Sequence, residues 1–242
     1  MQVVSGALAA PRVPIEAPPS LRVPEEMALF LEWFAETGPT GSQPLPAVTR
    51  AGVAHLFFES IHPFEDGNGR IGRAIAEKAM AQALGRPTWT ALAATILLHR
   101  KGCYAALEAA NRELEISTWL RWFAGMTLEA QLRTEADVRF LLDQTRLLDR
   151  LRGELHDRQE RALLRMLREG PAGFAGGLSA TNYATITGAP PATVTRDLAD
   201  LVSKGALKRT GERRYTRYFL TIPLRRLPIV VIGEKGEIRE QP

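Results

Sequence analysis

His62-Pro63-Phe64-Glu65-Asp66-Gly67-Asn68-Gly69-Arg70-Ile71-Gly72-Arg73 is the stretch that decides how this chain folds and what it can bind. Gly67, Asn68 and Gly69 accept backbone angles that other residues resist, so successive N–H groups can turn inward as an anion nest. The nest leads into a helix N-terminus, with open N–H donors and partial positive charge. Arg70 and Arg73 lie three apart on the first turn and share a face. Two guanidinium groups there suit a polyphosphate. Asp66 adds the hard oxygen ligand that magnesium on a nucleotide needs. His62 sits just upstream and can take a proton near neutral pH. Phe64 is expected to point into the core and anchor the loop. Singly, each residue has an ordinary structural reading: a histidine before a proline, a turn, a solvated helix face. Together, base, carboxylate, nest and arginine pair fill the roles that phosphoryl chemistry requires.

Helices flank the loop. Residues 48–60 are predicted helical, with Val53, Leu56 and Phe57 inward. Another helix covers 70–84, with Gly85 at its C′ position and Pro87 beyond. Upstream, residues 1–17 read as a hairpin in which Val3-Val4 and Val13-Pro14-Ile15 flank a small-residue turn. Residues 18–24 are a linker. Met27, Leu29, Phe30, Leu31, Trp33 and Phe34 form a helical apolar stripe, with Glu25 and Glu26 at its start. Downstream, helices are expected over 92–112 and 117–133. A charged amphipathic helix over 135–152 serves as connector. Residues 157–222 then read as helix, short helix, turn, longer helix and two strands (206–210 and 215–221), a winged helix-turn-helix pattern. The fold class is therefore mainly α: a helical bundle with a β-hairpin flap, followed by a small α+β winged helix-turn-helix domain. Its parts are the flap hairpin (1–18), the helical catalytic core (19–134), the connector (135–156), the winged domain (157–224) and a C-terminal tail (225–242).

The chain has 242 residues, 45% hydrophobic and 24% charged, enough for one large domain or two small ones. A net charge of +4 is too small to imply nucleic acid by itself. Its distribution says more. Residues 196–226 carry nine Lys/Arg against three acids. Thr193, Thr195 and Arg196 on the longer helix, with Arg213 and Arg214 in the wing, are the candidate DNA contacts. Against this, Asp197 and Asp200 balance the helix, and winged helices also serve as protein or homodimer modules. The one cysteine, Cys103, allows no disulfide framework or zinc cluster and fits a reducing cytoplasm. Ala7-Leu8-Ala9 follows too short an apolar run for a signal peptide, with no basic residue before it. No apolar stretch is suited to a bilayer, so neither a membrane partner nor a span is expected.

The loop resembles the signature of the Fic (Fido) family of protein adenylyltransferases, His-x-Phe-x-Asp/Glu-Gly-Asn-Gly-Arg-x-x-Arg, at every specified position. Residues 3–18 resemble that family's flap, which holds a target protein's segment by strand addition. Tyr104-Ala105-Ala106-Leu107-Glu108-Ala109-Ala110-Asn111 resembles the helix that borders the nucleotide, with Cys103 where the family often has a first tyrosine. The resemblance covers residues 1–133, and many relatives carry a winged helix as well. It implies that His62 deprotonates a Ser, Thr or Tyr hydroxyl, which attacks the α-phosphate of ATP. Asp66 would hold Mg2+, the backbone of residues 67–69 the α- and β-phosphates, and Arg70 and Arg73 the β and γ groups. Val4, Ser5 and Gly6 would line the nucleotide, with Tyr104 and Asn111 toward the adenosine. The family's inhibitory Ser/Thr-x-x-x-Glu-Gly/Asn motif is absent: Glu169 precedes Gly170, but Arg165 stands four before it. The expectation is ATP binding without intramolecular blockade, which leaves open a truncated form, a separate inhibitory protein, or no inhibition. Self-modification, another donor and AMP removal stay open, as does a nucleotide-sensing DNA-binding regulator. The intact His62 favours an enzyme.

Overall fold

Small residues set the centre of the first unit. Helices α2 (Ala47–Ile61) and α3 (Asn68–Leu84) pack through Ala51, Ala54, Ala76 and Ala79, all fully buried. Absent side chains let the two backbones approach closely. Helix α1 (Val23–Glu36) starts with Pro24 in its first turn and packs on α2 through Phe30. Arg50, buried on α2, ties all three together. It donates to Phe34 O (2.6 Å), Gln82 Oε1 (3.0 Å), Thr37 Oγ1 (3.3 Å) and Ala79 O (3.4 Å), and it lies over the Phe34 ring.

The computed structural model describes residues 2–5, 12–88, 90–112, 115–225 and 229–241, with backbone alone for 2–5, 12–16 and 241. It divides into two units, Met1–Leu132 with Pro228–Gln241, and Arg133–Leu227. The first opens on an antiparallel hairpin, β1 (Gln2–Ser5) and β2 (Arg12–Glu16), with Val3 opposite Ile15. Its expected turn lies outside the described residues.

Two helix boundaries differ from expectation. The single helix expected over 92–112 is two, α4 (Leu92–Leu98) and α5 (Arg100–Arg112). The chain turns at His99, whose Nε2 lies 2.9 Å from Glu129 Oε1. Conversely, the helices expected over 117–133 and 135–152 are one, α6 (Ser117–Arg150). No glycine or proline lies between Gly125 and Gly153, where φ is 77°. The start of α6 completes the first core with Trp119, Phe123 and Met126, and Trp119 Nε1 donates to Gly52 O (2.8 Å).

The second unit holds the rest of α6, then α7 (Asp157–Leu167), α8 (Ala180–Thr187), α9 (Pro191–Ser203) and the antiparallel pair β3 (Leu207–Thr210) and β4 (Arg217–Leu220). Ser179 caps α8 by accepting from Asn182 N at 3.0 Å. Leu163, Leu178, Tyr183, Leu198 and Leu201 fill its core. The strands are shorter than expected because residues Arg213–Tyr215 form a 3-10 turn, with Arg213 at φ 50°.

Residues 225–242, expected as a tail, include a second hairpin, β5 (Ile229–Ile232) and β6 (Ile238–Gln241), which belongs to the first unit. Val230 is buried there, and its N–H donates to Glu129 Oε2 at 3.3 Å. Gly125 makes room: a Cβ on it would lie 3.1 Å from Val230 O. Among the described residues, no helix is long and apolar enough to cross a membrane.

Candidate functional site

Helix α2 presents His55, Glu59 and His62 on one face, spaced four and three apart. His62 ends the helix in the left-handed region (φ 50°, ψ 57°), its N–H donating to Phe58 O at 3.0 Å. Histidine tolerates that conformation better than most residues, and it turns the chain sharply into the loop. Its Nδ1 is buried and meets no partner at hydrogen-bond geometry. Burial pushes the imidazole pKa down, and the Glu59 backbone carbonyl offsets part of this. The ring is thus held toward its neutral form, which can accept a proton.

The loop is held by Asn68. Its Oδ1 accepts from Phe64 N (3.0 Å) and its Nδ2 donates to Phe64 O (2.6 Å). Phe64 itself, expected in the core, is 48% exposed, with its ring 6.4 Å from that of Phe58. The anchor is the amide of Asn68, not the phenyl ring. The nest also differs in detail. Of residues 67–69 only Gly67 has positive φ (88°); Asn68 and Gly69 already belong to α3. The N–H groups of Gly67, Asn68 and Gly69 find no acceptor among the described residues, whereas those of Arg70 and Ile71 both go to Gly67 O (3.0 Å). Three open donors at a helix start have the geometry to receive an anion.

Arg70 and Arg73 flank it. Arg70 Nη2 lies 3.5 Å from Asp66 Oδ2, and both side chains are exposed. Among the described residues no group of three or more His, Cys, Asp or Glu could hold a metal ion. One open carboxylate suits magnesium carried in on a nucleotide, which keeps most of its water, rather than a resident metal. Arg73 is partly buried, and its Nη1 would lie 3.2 Å from a Cβ on Gly69.

Behind the first turn of α3 lie groups that the motif does not contain. Glu59 is buried (6% exposed), and burial pushes its carboxyl up to about 7 against the pull of Arg73. His55 stacks on Trp119 (5.6 Å, 4°), and burial pushes it down to about 4. Cys103, from α5, is pushed up to about 12 by burial and by Glu59. Gly72 faces them: a Cβ there would come within 2.9 Å of Glu59 Oε1 and 3.1 Å of His55 Nδ1.

Helix α5 lies beside β2. Asn111 Oδ1 accepts from Ser60 Oγ (2.8 Å), so it stands at the His62 end of α2. Tyr104, which could have been core, is 47% exposed, with the Arg100 guanidinium 5.6 Å from its ring centre. For Val4 and Ser5 the structure describes the β1 backbone; Gly6 lies outside the described residues.

In the second unit, Arg196, Arg213 and Arg214 are exposed, Thr195 Oγ1 bonds back to Pro191 O (3.1 Å), and Thr193 is half-buried. Arg214 donates to Tyr215 OH at 2.6 Å. Asp197, expected to balance the charge of the helix, points inward instead. It accepts from Arg158 Nε (3.0 Å) and Tyr183 OH (3.0 Å), with His156 Nε2 at 3.1 Å. The outer face of α9, Ala192, Thr195, Arg196 and Ala199, carries no acid.

Sequence reasoning missed Glu59 and His55, although a charged residue inside an apolar helical run, in phase with His62, was a usable signal. It also missed the inward turn of Asp197, which depends on Arg158 and Tyr183, distant in sequence.

The Fic/DOC family model matches residues 11–80. A probable protein adenylyltransferase of Aquifex aeolicus (strain VF5) is 31% identical over 65 residues, 27% of this chain and 19% of that relative. The chain thus spans about a fifth of the length of that relative, 19%. A crystal structure of a Fic family protein from Desulfovibrio desulfuricans G20 is similar at a TM-score of 0.44 and 22% identity, covering 87% of this chain and 58% of that one. The family match ends seven residues past Arg73, so it takes in the whole loop together with α1, α2 and most of α3. Residues 11–80 of this chain are thus similar to the Fic/DOC family model.

Proposed function

We propose that this chain is a protein adenylyltransferase that moves AMP from Mg-ATP to a Ser, Thr or Tyr hydroxyl of a target protein. The observation that carries the reading is the set of open N–H groups on residues 67–69, beside Arg70 and Arg73 and one short loop after a neutral histidine. In this reading the triphosphate lies on those donors, with Arg70 and Arg73 toward its β and γ groups. Asp66 offers its carboxylate to the nucleotide's magnesium. Nε2 of His62 accepts the hydroxyl proton as the hydroxyl oxygen bonds to the α-phosphorus. The bond from that phosphorus to the bridging oxygen breaks, and pyrophosphate leaves with the electron pair. Tyr104, Asn111 and the β1 backbone at Val4 and Ser5 are the adenosine-side candidates, and the flap is where the target would dock. A cytoplasmic setting fits the buried, unpaired Cys103.

Incubation with Mg-ATP labelled at the α- or the γ-phosphate tests this. Transfer from α alone, reduced about 100-fold or more in His62→Ala, is expected. Transfer from γ would mean kinase-like chemistry and end the reading.

A second reading, a nucleotide-sensing DNA-binding regulator with a winged helix in the second unit, is favoured by one observation. The inward turn of Asp197 leaves Arg196 on an α9 outer face without an acid, and the Arg213–Tyr215 turn adds two exposed arginines beside one acid, Glu212. A gel shift at low salt, lost in Arg213→Ala/Arg214→Ala, is its expected sign. No shift at low salt turns that unit toward a protein-binding role.

A further inference from the structure

Glu59 is an anomaly in this unit. A buried carboxylate is costly unless it is hydrogen-bonded or paired. Yet the Glu59 side chain makes no hydrogen bond or ion pair among the described residues. Among the described residues, the groups that face it are His55 from its own helix, Arg73 from α3 and Cys103 from α5, while His62 meets only its backbone carbonyl. Both histidines are held neutral by burial, and the thiol stays protonated. Among the described residues, Arg73 is therefore the one lasting positive charge that acts on it.

Two glycines shape the space between them. A helix-interior glycine costs about 1 kcal/mol relative to alanine. Gly72 gives up its side chain where Glu59 Oε1 sits, 2.9 Å from the position a Cβ would take. One turn earlier, a Cβ on Gly69 would meet Arg73 Nη1 at 3.2 Å and Glu59 Oε1 at 3.6 Å. The carboxylate and the guanidinium thus border the same glycine, one from inside the helix pair and one from the loop side. They stop short of a contact ion pair, so the guanidinium keeps donors for an outside anion.

We propose that Glu59 is the positioning residue for Arg73: the buried carboxylate, seated against Gly72, holds the guanidinium beside the open N–H groups so that it meets the terminal phosphates of a nucleoside triphosphate. The proposal rests on the nucleotide site of the proposed function, not on its chemical step. Glu59 touches no substrate and acts through Arg73. It therefore matters for the β and γ groups and not for the α-phosphate.

Binding of Mg-ATP and of AMP to the full chain tests this by calorimetry, with Glu59→Gln, Arg73→Ala and the double variant. Glu59→Gln is expected to weaken Mg-ATP about tenfold, the scale of one charged contact, and to leave AMP within about twofold. In the Arg73→Ala background it is expected to cost nothing further, the non-additivity of two residues acting as one. Gly72→Ala, which displaces the carboxylate without removing it, is expected to give the same selective loss. Equal losses for Mg-ATP and AMP, an undiminished loss in the Arg73→Ala background, or no effect on Mg-ATP would each overturn the proposal. If the couplings appear but no label is transferred, adenylyl transfer fails and this inference stands. If label is transferred while the losses simply add, the inference fails and adenylyl transfer stands.

Discussion

Glu59 and His55, four residues apart on α2, titrate in opposite senses. The Glu59 carboxyl is pushed up from 4.5 to about 7, so its contribution to stability is fully present below pH 4.5 and is lost as pH rises through 7. The His55 imidazole is pushed down from 6.5 to about 4, so its contribution is present above pH 6.5 and is lost as pH falls through 4. Glu59→Gln removes the first term alone. Its melting temperature is expected to rise relative to wild type between pH 5 and pH 8, by at most about 3 kcal/mol of stability. An offset that stays constant across that range would mean that Glu59 is ionised throughout. Such a gain beside the expected loss of ATP affinity is the usual exchange of stability for function at a site. At this scale the sequence was most legible where residue type limits the chemistry: His62, Asp66, Arg70 and Arg73 stood out as candidates because few other side chains offer a base, a hard oxygen or a planar cation. It was least legible where a role depends on a neighbour. Asn68 reads as a turn residue, and only the fold shows its amide bracketing Phe64.

At the scale of elements, α2 and α3 carry the site, and Arg50 fixes how they lie against α1. Its guanidinium serves four acceptors on two helices and a helix end. Arg50→Met keeps much of the volume but strips the buried Thr37 Oγ1 and Ala79 O, and the half-buried Phe34 O, of their donor. A loss of about 3–5 kcal/mol in urea unfolding is expected, and Arg50→Lys is expected to recover little, because an ammonium lacks the planar fork. A change below about 1 kcal/mol for Arg50→Met would show that water serves those acceptors equally well. Helix existence was readable from periodicity, and helix joints were not. The break at His99 comes from a side-chain bond to Glu129, thirty positions away in sequence, which no local window contains. The continuity of α6 through Thr134 has the opposite origin: nothing local stops it, and the polar turn at residues 133–135 is compatible with a solvated helix face.

At the scale of the whole molecule, the chain forms two units, and the first draws on both flanks of the second. The strand pair β5–β6 was hidden by its place after the winged pattern, although Ile229-Val230-Val231-Ile232 followed by Gly233-Glu234-Lys235-Gly236 has a strand-and-turn composition. Its attachment is specific: Glu129, fully buried on α6, receives His99 on one oxygen and the Val230 N–H on the other. A chain ending at residue 225 leaves that carboxylate without one of its donors. A fall of about 2 kcal/mol or more in the stability of the first unit is expected, with faster hydrogen exchange near Glu129. Unchanged exchange there would mean that the hairpin only covers the unit.

The same attachment has a meaning for the order of events on the ribosome. Synthesis delivers residues 62–73 before Val230, with all ninety-five residues of Arg133–Leu227 emerging in between. The nascent first unit must wait, with Gly125 and the Glu129 oxygen uncovered by Val230, until β5 leaves the exit tunnel. Domains usually close in the order they are made; here the earlier one is sealed only after the later one is complete.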